Sequence, residues 1–161
     1  LALITNDTKA VFIDTTGAVT MPSQPAFLAK PSSQQSNLAN GNTTVVLGNE
    51  VFDQGADFNV SNYTFTAPVT GKYFLSALVY FNNVDTAADY LQINLQTSNR
   101  PHYAIIDPGV LASDSVYWTL GYAGISEMDA GDTAYLQIQN GGGAAQTDIT
   151  ASTEFSGYLV C

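Results

Sequence analysis

Residues 50–81 constrain this chain more than any other stretch. Pro68 and Gly71 shape a corner that a central strand does not tolerate: proline offers no ladder donor and glycine no side chain to pack. After the corner, Tyr73, Leu75, Ala77, Val79 and Phe81 alternate with Phe74, Ser76, Leu78 and Tyr80. Both sets are largely apolar, the pattern of a strand buried on two sides. A segment of this kind needs a layer on each face.

The rest of the chain supplies strands. Leu91, Ile93 and Leu95 alternate with Gln92, Asn94 and Gln96, and Ala134, Leu136 and Ile138 alternate with Tyr135, Gln137 and Gln139. Each reads as a half-buried strand with a polar outer face. Residues 116–126 form a longer apolar strand and residues 154–161 a closing one. Turn residues separate them at Asp107-Pro108-Gly109, Asp129-Ala130-Gly131-Asp132 and Gly141-Gly142-Gly143. Residues 28–45 read as a long connection with one short strand. Many short strands with regular turns, and no long helical period, predict an all-β, two-sheet jelly-roll sandwich of about ten strands. Residues 1–24 differ: two short strands flank an Asp14-Thr15-Thr16-Gly17 turn, with Gly17 supplying the positive φ of a tight hairpin. Such a segment cannot bury a core alone. The expected division is therefore a β-hairpin stalk segment over 1–24 and a jelly-roll head over 25–161.

Composition excludes several functions. With 161 residues and 45% hydrophobic content, the chain can bury a core without staples. Fourteen acids face four bases (Lys9, Lys30, Lys72 and Arg100), a net charge of −10. Nucleic-acid binding and adhesion to an anionic membrane both need clustered bases, so neither is expected. No apolar run approaches the 18 or so residues of a membrane-spanning helix, so no membrane insertion is expected. One cysteine, Cys161, excludes an internal disulfide, and one Cys with one His excludes a zinc cluster. Leu1 opens the chain where Met would open a complete protein, and no signal-peptide pattern is present. The expectation is the C-terminal piece of something longer.

Three motifs together resemble the C1q / tumour-necrosis-factor-like jelly roll: Phe65-x-Ala67-Pro68-x-x-Gly71-x-Tyr73-Phe74, Gly131-Asp132-x-x-Tyr135-Leu136, and Phe155-Ser156-Gly157-Tyr158-Leu159. The resemblance covers residues 25–161. It implies a homotrimer of non-enzymatic heads, with the first and last strands paired centrally and the termini together at the trimer base. It makes Tyr73, Phe74, Tyr80, Phe81, Tyr135 and Tyr158 candidates for sandwich core or trimer interface, with the division between the two left open. A shorter likeness, Ile13-Asp14-x-x-Gly17-x-Val19, is to bacteriophage tail-fibre stalks. This lead segment and the lack of an internal cysteine depart from animal members. Both point to a virion tail-fibre head that adheres to a bacterial surface glycan or protein. The alternatives are a secreted C1q-like lectin or ligand, and a purely structural trimerisation cap.

No catalytic constellation emerges. His102 is the single histidine, no Gly-x-Ser-x-Gly elbow exists, and no spacing singles out two of the fourteen acids as a glycosidase pair. Asp85 with Asp89, and Asp107 with Asp114, are the nearest carboxylate groupings, but no calcium-loop pattern occurs, so no metal or cofactor is expected. Ligand contacts are expected on loops at the end away from the stalk: residues 82–89, 98–103, 107–117 and 140–149. The candidate ligand-binding residues are Arg100, His102, Tyr103, Tyr117 and Asn140. Trp118 shares a strand face with Val116, Leu120 and Tyr122 and is expected in the core. Asn-x-Ser/Thr sequons stand at Asn6, Asn42, Asn59 and Asn62, glycosylation sites only if the protein comes from a glycosylating host.

Overall fold

A computed structural model describes residues 1–5 and 8–161; the sequon at Asn6 lies outside them. Strands β1 (Ala2–Thr5), β2 (Thr8–Ile13) and β3 (Val19–Thr20) form a small antiparallel sheet. The expected Asp14–Gly17 turn joins the last two. Asp14 Oδ1 accepts from Thr16 N at 2.7 Å, Thr16 Oγ1 at 2.7 Å and Ala18 N at 3.0 Å, and Gly17 takes φ +91°. These donors hold the Asp14 carboxyl below its ordinary value, the Thr16 hydroxyl contributing most. β1 adds a third strand that the sequence pattern does not announce.

The sandwich begins with β4 (Ala26–Lys30), β5 (Gly41–Thr44), β6 (Asn49–Gln54), β7 (Phe58–Asn59) and β8 (Thr64–Thr66). Then come three longer strands, β9 (Gly71–Val84), β10 (Ala88–Thr97) and β11 (Pro101–Ile106). A single 3-10 turn at Pro108–Val110, capped by Asp107 Oδ1 on Gly109 N at 2.8 Å, leads into β12 (Ser115–Met128). β13 (Thr133–Gly142), β14 (Asp148–Ile149) and β15 (Glu154–Leu159) close the chain. These twelve strands make two six-stranded sheets. The first has the order β12-β9-β15-β4-β6, with β14 also on β9; the second has β11-β10-β13-β8-β7, with β5 also on β13. Among the described residues no helix is long and apolar enough to cross a membrane.

The strands expected at 73–81, 91–96, 116–126, 134–139 and 154–161 all form, at slightly greater or lesser length. The first and last sandwich strands, β4 and β15, pair within the first sheet; Val160 N donates to Lys72 O at 2.7 Å and Leu159 N to Pro25 O at 3.0 Å, so the two ends of the sandwich lie together near the start of β9. The core lies between the sheets. Phe27, Tyr73 and Phe155 from the first sheet meet Phe58 and Phe65 from the second, with the Phe27 ring 4.6 Å from Phe65 and 5.0 Å from Phe155. Gly157 makes the closeness possible, since a Cβ there would stand 2.6 Å from Leu75 Cδ2 and 3.0 Å from both Phe27 Cε1 and the Phe74 carbonyl oxygen. Along β9 the two faces differ. Tyr73, Leu75, Ala77, Val79 and Phe81 are buried between the sheets, whereas Phe74, Ser76, Leu78 and Tyr80 on the opposite face are only half-buried. The two-sided burial expected of this strand is thus complete on one side in the single chain.

Candidate functional site

The half-buried face of β9 belongs to a larger surface. Strand register places Phe74 beside Ile125 of β12 and Tyr158 of β15, and Leu78 beside Gly121 and Glu154. Ser156 lies opposite Leu28, and Leu28 opposite Phe52 at the far edge. The Phe74 and Tyr158 rings stand 5.3 Å apart. Phe52, Ile125 and Tyr158 are each about half exposed, at 50%, 52% and 48%. Small residues between them (Ser76, Gly121, Ala123 and Ser156) keep the relief low. The described ion pair, Lys30 Nζ to Glu154 Oε1 at 3.3 Å, sits toward one side. Exposed apolar side chains grouped on one face of a folded chain are the kind of surface through which proteins make contacts. This face divides the six aromatic candidates. Tyr73 and Phe81 are sandwich core, Phe74, Tyr80 and Tyr158 face outward from the first sheet, and Tyr135 faces outward from the second.

The end away from the termini is bound together by carboxylates. Asp85, almost fully buried, accepts from Ala87 N at 2.8 Å and Ala144 N at 2.5 Å. Asp148 accepts from Asn37 N at 2.8 Å, Asn83 Nδ2 at 3.0 Å and Gln34 Nε2 at 3.1 Å. Asp114 takes Thr86 N at 2.9 Å, Thr86 Oγ1 at 2.7 Å and Gln146 Nε2 at 2.8 Å, and these donors, the Thr86 amide first, hold its carboxyl below the ordinary range. Each acid therefore ties loops of its own chain together. Among the described residues no group of three or more His, Cys, Asp or Glu side chains is placed to hold a metal ion.

The five ligand candidates do not share a surface. Tyr117, 77% exposed, lies at the tip end of β12 on the outward face of the first sheet. Tyr103 projects from the outward face of the second sheet, opposite Asn94. Asn140 is buried, its Nδ2 reaching Asn40 Oδ1 at 3.3 Å while its Oδ1 has no partner among the described residues. Arg100 is exposed, but the hairpin at 98–100 lies at the terminal end, not at the tip as expected. Asn99 Nδ2 there donates to Glu127 O and Asp132 Oδ2, both at 2.9 Å. Strand parity explains the correction: β9 starts beside the termini and ends at the tip, so β10 returns and the β10–β11 hairpin falls back at the base.

His102 turns inward from edge strand β11, opposite Leu95. Its Nε2 lies 2.7 Å from Ser126 Oγ and its Nδ1 2.8 Å from the Tyr122 hydroxyl, with the two rings stacked at 5.0 Å. A neutral imidazole satisfies both hydroxyls, one as donor and one as acceptor. Ser126 is buried, so this Ser–His contact offers no open nucleophile. Trp118 packs half-buried against the core, its Nε1 buried and without a partner among the described residues. Burial first, and the Arg100 charge second, lower the His102 pKa below its ordinary value of 6.5. In the window below about 6.5 the unfolded chain therefore binds the extra proton, and falling pH favours unfolding. A pH series of urea melts is expected to show stability declining below about 6.5, with this component missing in His102→Gln; an unchanged slope in the variant would refute the assignment.

Comparison with known proteins agrees with this geometry. The family model described as the C1q domain matches residues 26–160. The chain belongs to the C1q domain family. Human adipolin is 29% identical to this C1q domain over 118 residues, which cover 68% of the chain and 39% of adipolin; the chain thus spans about two fifths of that relative's length. The globular domain of zebrafish complement 1qA protein superposes with a TM-score of 0.64 at 17% identity, over 86% of this chain and 98% of that one. Murine APRIL superposes at 0.61 with 16% identity, over 85% and 99%. These likenesses establish the C1q / tumour-necrosis-factor-like jelly roll expected from the motifs. They give no support to the tail-fibre origin. Sequence reasoning missed Phe52 and Ile125 as outward apolar residues. Ile125 was legible from its alternation with Gly124 and Ser126, but Phe52 was not, because a register shift between Leu28 and Ala29 sets its face.

Proposed function

We propose that this C1q domain is a non-enzymatic, homotrimeric recognition module, and that its three copies meet through the outward face of the first sheet. The observation that carries the reading is that face itself: Phe74, Leu78, Tyr80, Ile125 and Tyr158 lie on the outward side of three adjoining strands, each half-buried or exposed rather than in the sandwich core. Closing three copies around an axis buries one patch of each against a different patch of the next. Three weak sites per assembly then raise apparent affinity by about 10²–10⁴ without new contacts. The match to adipolin and the likeness to a complement domain favour a secreted ligand or recognition domain.

A tail-fibre head is the second reading. It is favoured by the small sheet over Ala2–Thr20, where Leu3, Ile4 and Val19 stand exposed on a structure too small to be stable alone. In either reading residues 1–24 serve as stalk and 25–161 as head. Sedimentation equilibrium tests the common part: the expected mass is three times the chain's 17.1 kDa at micromolar concentration, and a monomer refutes it.

A further inference from the structure

We infer that the outward face of the second sheet is a platform for an uncharged polysaccharide chain. The inference rests on the recognition reading above, but moves the ligand from tip loops to a sheet. Register places Gln92 opposite Gln139, Asn94 opposite Gln137, and Gln96 opposite Tyr135 across β10 and β13. β11 extends these rows with Ile105, Tyr103 and Pro101, and β5 and β8 extend them with Asn42, Thr44 and Thr64. On a chain of net charge −10, these rows hold no carboxylate and no base. Such a face offers nothing to a phosphate backbone or a cationic partner. An uncharged ligand can be buried on it with no charge left unpaired.

The chemistry matches a sugar. Each side-chain amide carries donors and an acceptor, the pair that adjacent hydroxyls of a pyranose ring require. Asn94 is itself only 4% exposed and accepts from Gln92 Nε2, so it braces the platform from beneath, and the amides that reach the surface are those of the half-buried Gln92, Gln96, Gln137 and Gln139. Tyr90 supplies a flat ring. It lies opposite Gly141, and a Cβ on that glycine would fall 2.3 Å, 2.5 Å and 2.7 Å from Tyr90 Cε1, Cδ1 and Cζ. The ring therefore rests against the glycine backbone with its other face outward. Tyr135, half-buried on the same strand face, and Tyr103, 59% exposed, provide two more rings. Aromatic faces bind the C–H faces of sugars while the phenol reaches a hydroxyl. The rows run across β11, β10, β13 and β5, so the ligand is an extended chain lying across the strands.

Affinity electrophoresis of the 161-residue chain, produced unglycosylated, through gels cast with dextran, yeast mannan, galactomannan or hydroxyethylcellulose tests this, with alginate as the charged control. At least one neutral polysaccharide is expected to retard the protein. Tyr90→Ala and Tyr135→Ala should each weaken that retardation about tenfold. Gln137→Glu, which keeps the shape and adds a charge, should do the same. Tyr117→Ala should leave it unchanged. No retardation by any neutral gel, retardation by alginate alone, or retardation indifferent to all three platform variants overturns the inference. Sedimentation of the same samples separates the two proposals. A trimer that passes every gel unretarded removes the platform alone, whereas a retarded monomer removes the assembly alone.

Discussion

Phe74→Glu is expected to turn the trimer into a folded monomer. In the single chain, position 74 is half-buried on the outward face of the first sheet, so a glutamate there can reach water. In the proposed assembly the same carboxylate would be buried against the apolar side chains of this face, Ile125 and Tyr158 among them. Burying an unpaired carboxylate costs several kcal/mol, and the trimer would carry three. At roughly 1.4 kcal/mol per tenfold in an equilibrium constant, association is lost across the micromolar range. The expected sedimentation mass is that of one chain, 17.1 kDa. The far-ultraviolet spectrum should remain that of the β-sandwich, and the melting temperature should become independent of protein concentration. Phe74→Leu keeps an apolar side chain and should keep the trimer. A Phe74→Glu protein that sediments like the unaltered chain would remove this face from the interface.

Part of this face is legible in the sequence. Strict alternation in 73–81, 91–96 and 134–139 places each side chain on a face, because the strand period is two residues. What alternation does not give is which apolar face is covered by the chain's own second sheet. Tyr73 and Phe74 are both large aromatics, yet one is core and the other faces outward. What distinguishes them is packing across the sandwich: the Tyr73 ring meets Phe65 of the second sheet, whereas Phe74 meets Tyr158 of its own. The loop candidates fared differently. Arg100 was placed at the wrong end although strand parity could have settled it, whereas the inward turns of His102 and Asn140 depend on contacts with Ser126, Tyr122 and Asn40 from distant parts of the chain. The outward amide rows of the second sheet were visible as half-buried strands. Their continuity across five strands appears only once β13 is seen to pair with β10, β5 and β8.

Phe27→Ala is expected to be the most damaging single core substitution in the aromatic cluster. The ring is 1% exposed, and it stacks on Phe58 at 5.3 Å and on Phe65 at 4.6 Å while meeting Phe155 edge-on. It therefore joins the central strands of one sheet to β7 and β8 of the other. Truncating a buried phenylalanine costs about 3–5 kcal/mol, the lost transfer energy plus the cavity left behind. For a domain of this size that lowers the melting temperature by about 6–20 °C at fixed protein concentration. Gly157→Ala attacks the same place from the opposite side and should cost about 1–3 kcal/mol by overpacking. The two effects should not add. Removing the Phe27 ring clears one of the three atoms that a Cβ at 157 would strike, while Leu75 and the Phe74 carbonyl stay in place. Denaturant unfolding of the double variant should therefore fall short of the sum by about 0.5 kcal/mol or more. Full additivity would mean that the Phe74 backbone, not the Phe27 ring, makes glycine necessary at 157, and that the close approach of β15 to β9 is set by the sheet rather than by the aromatic core.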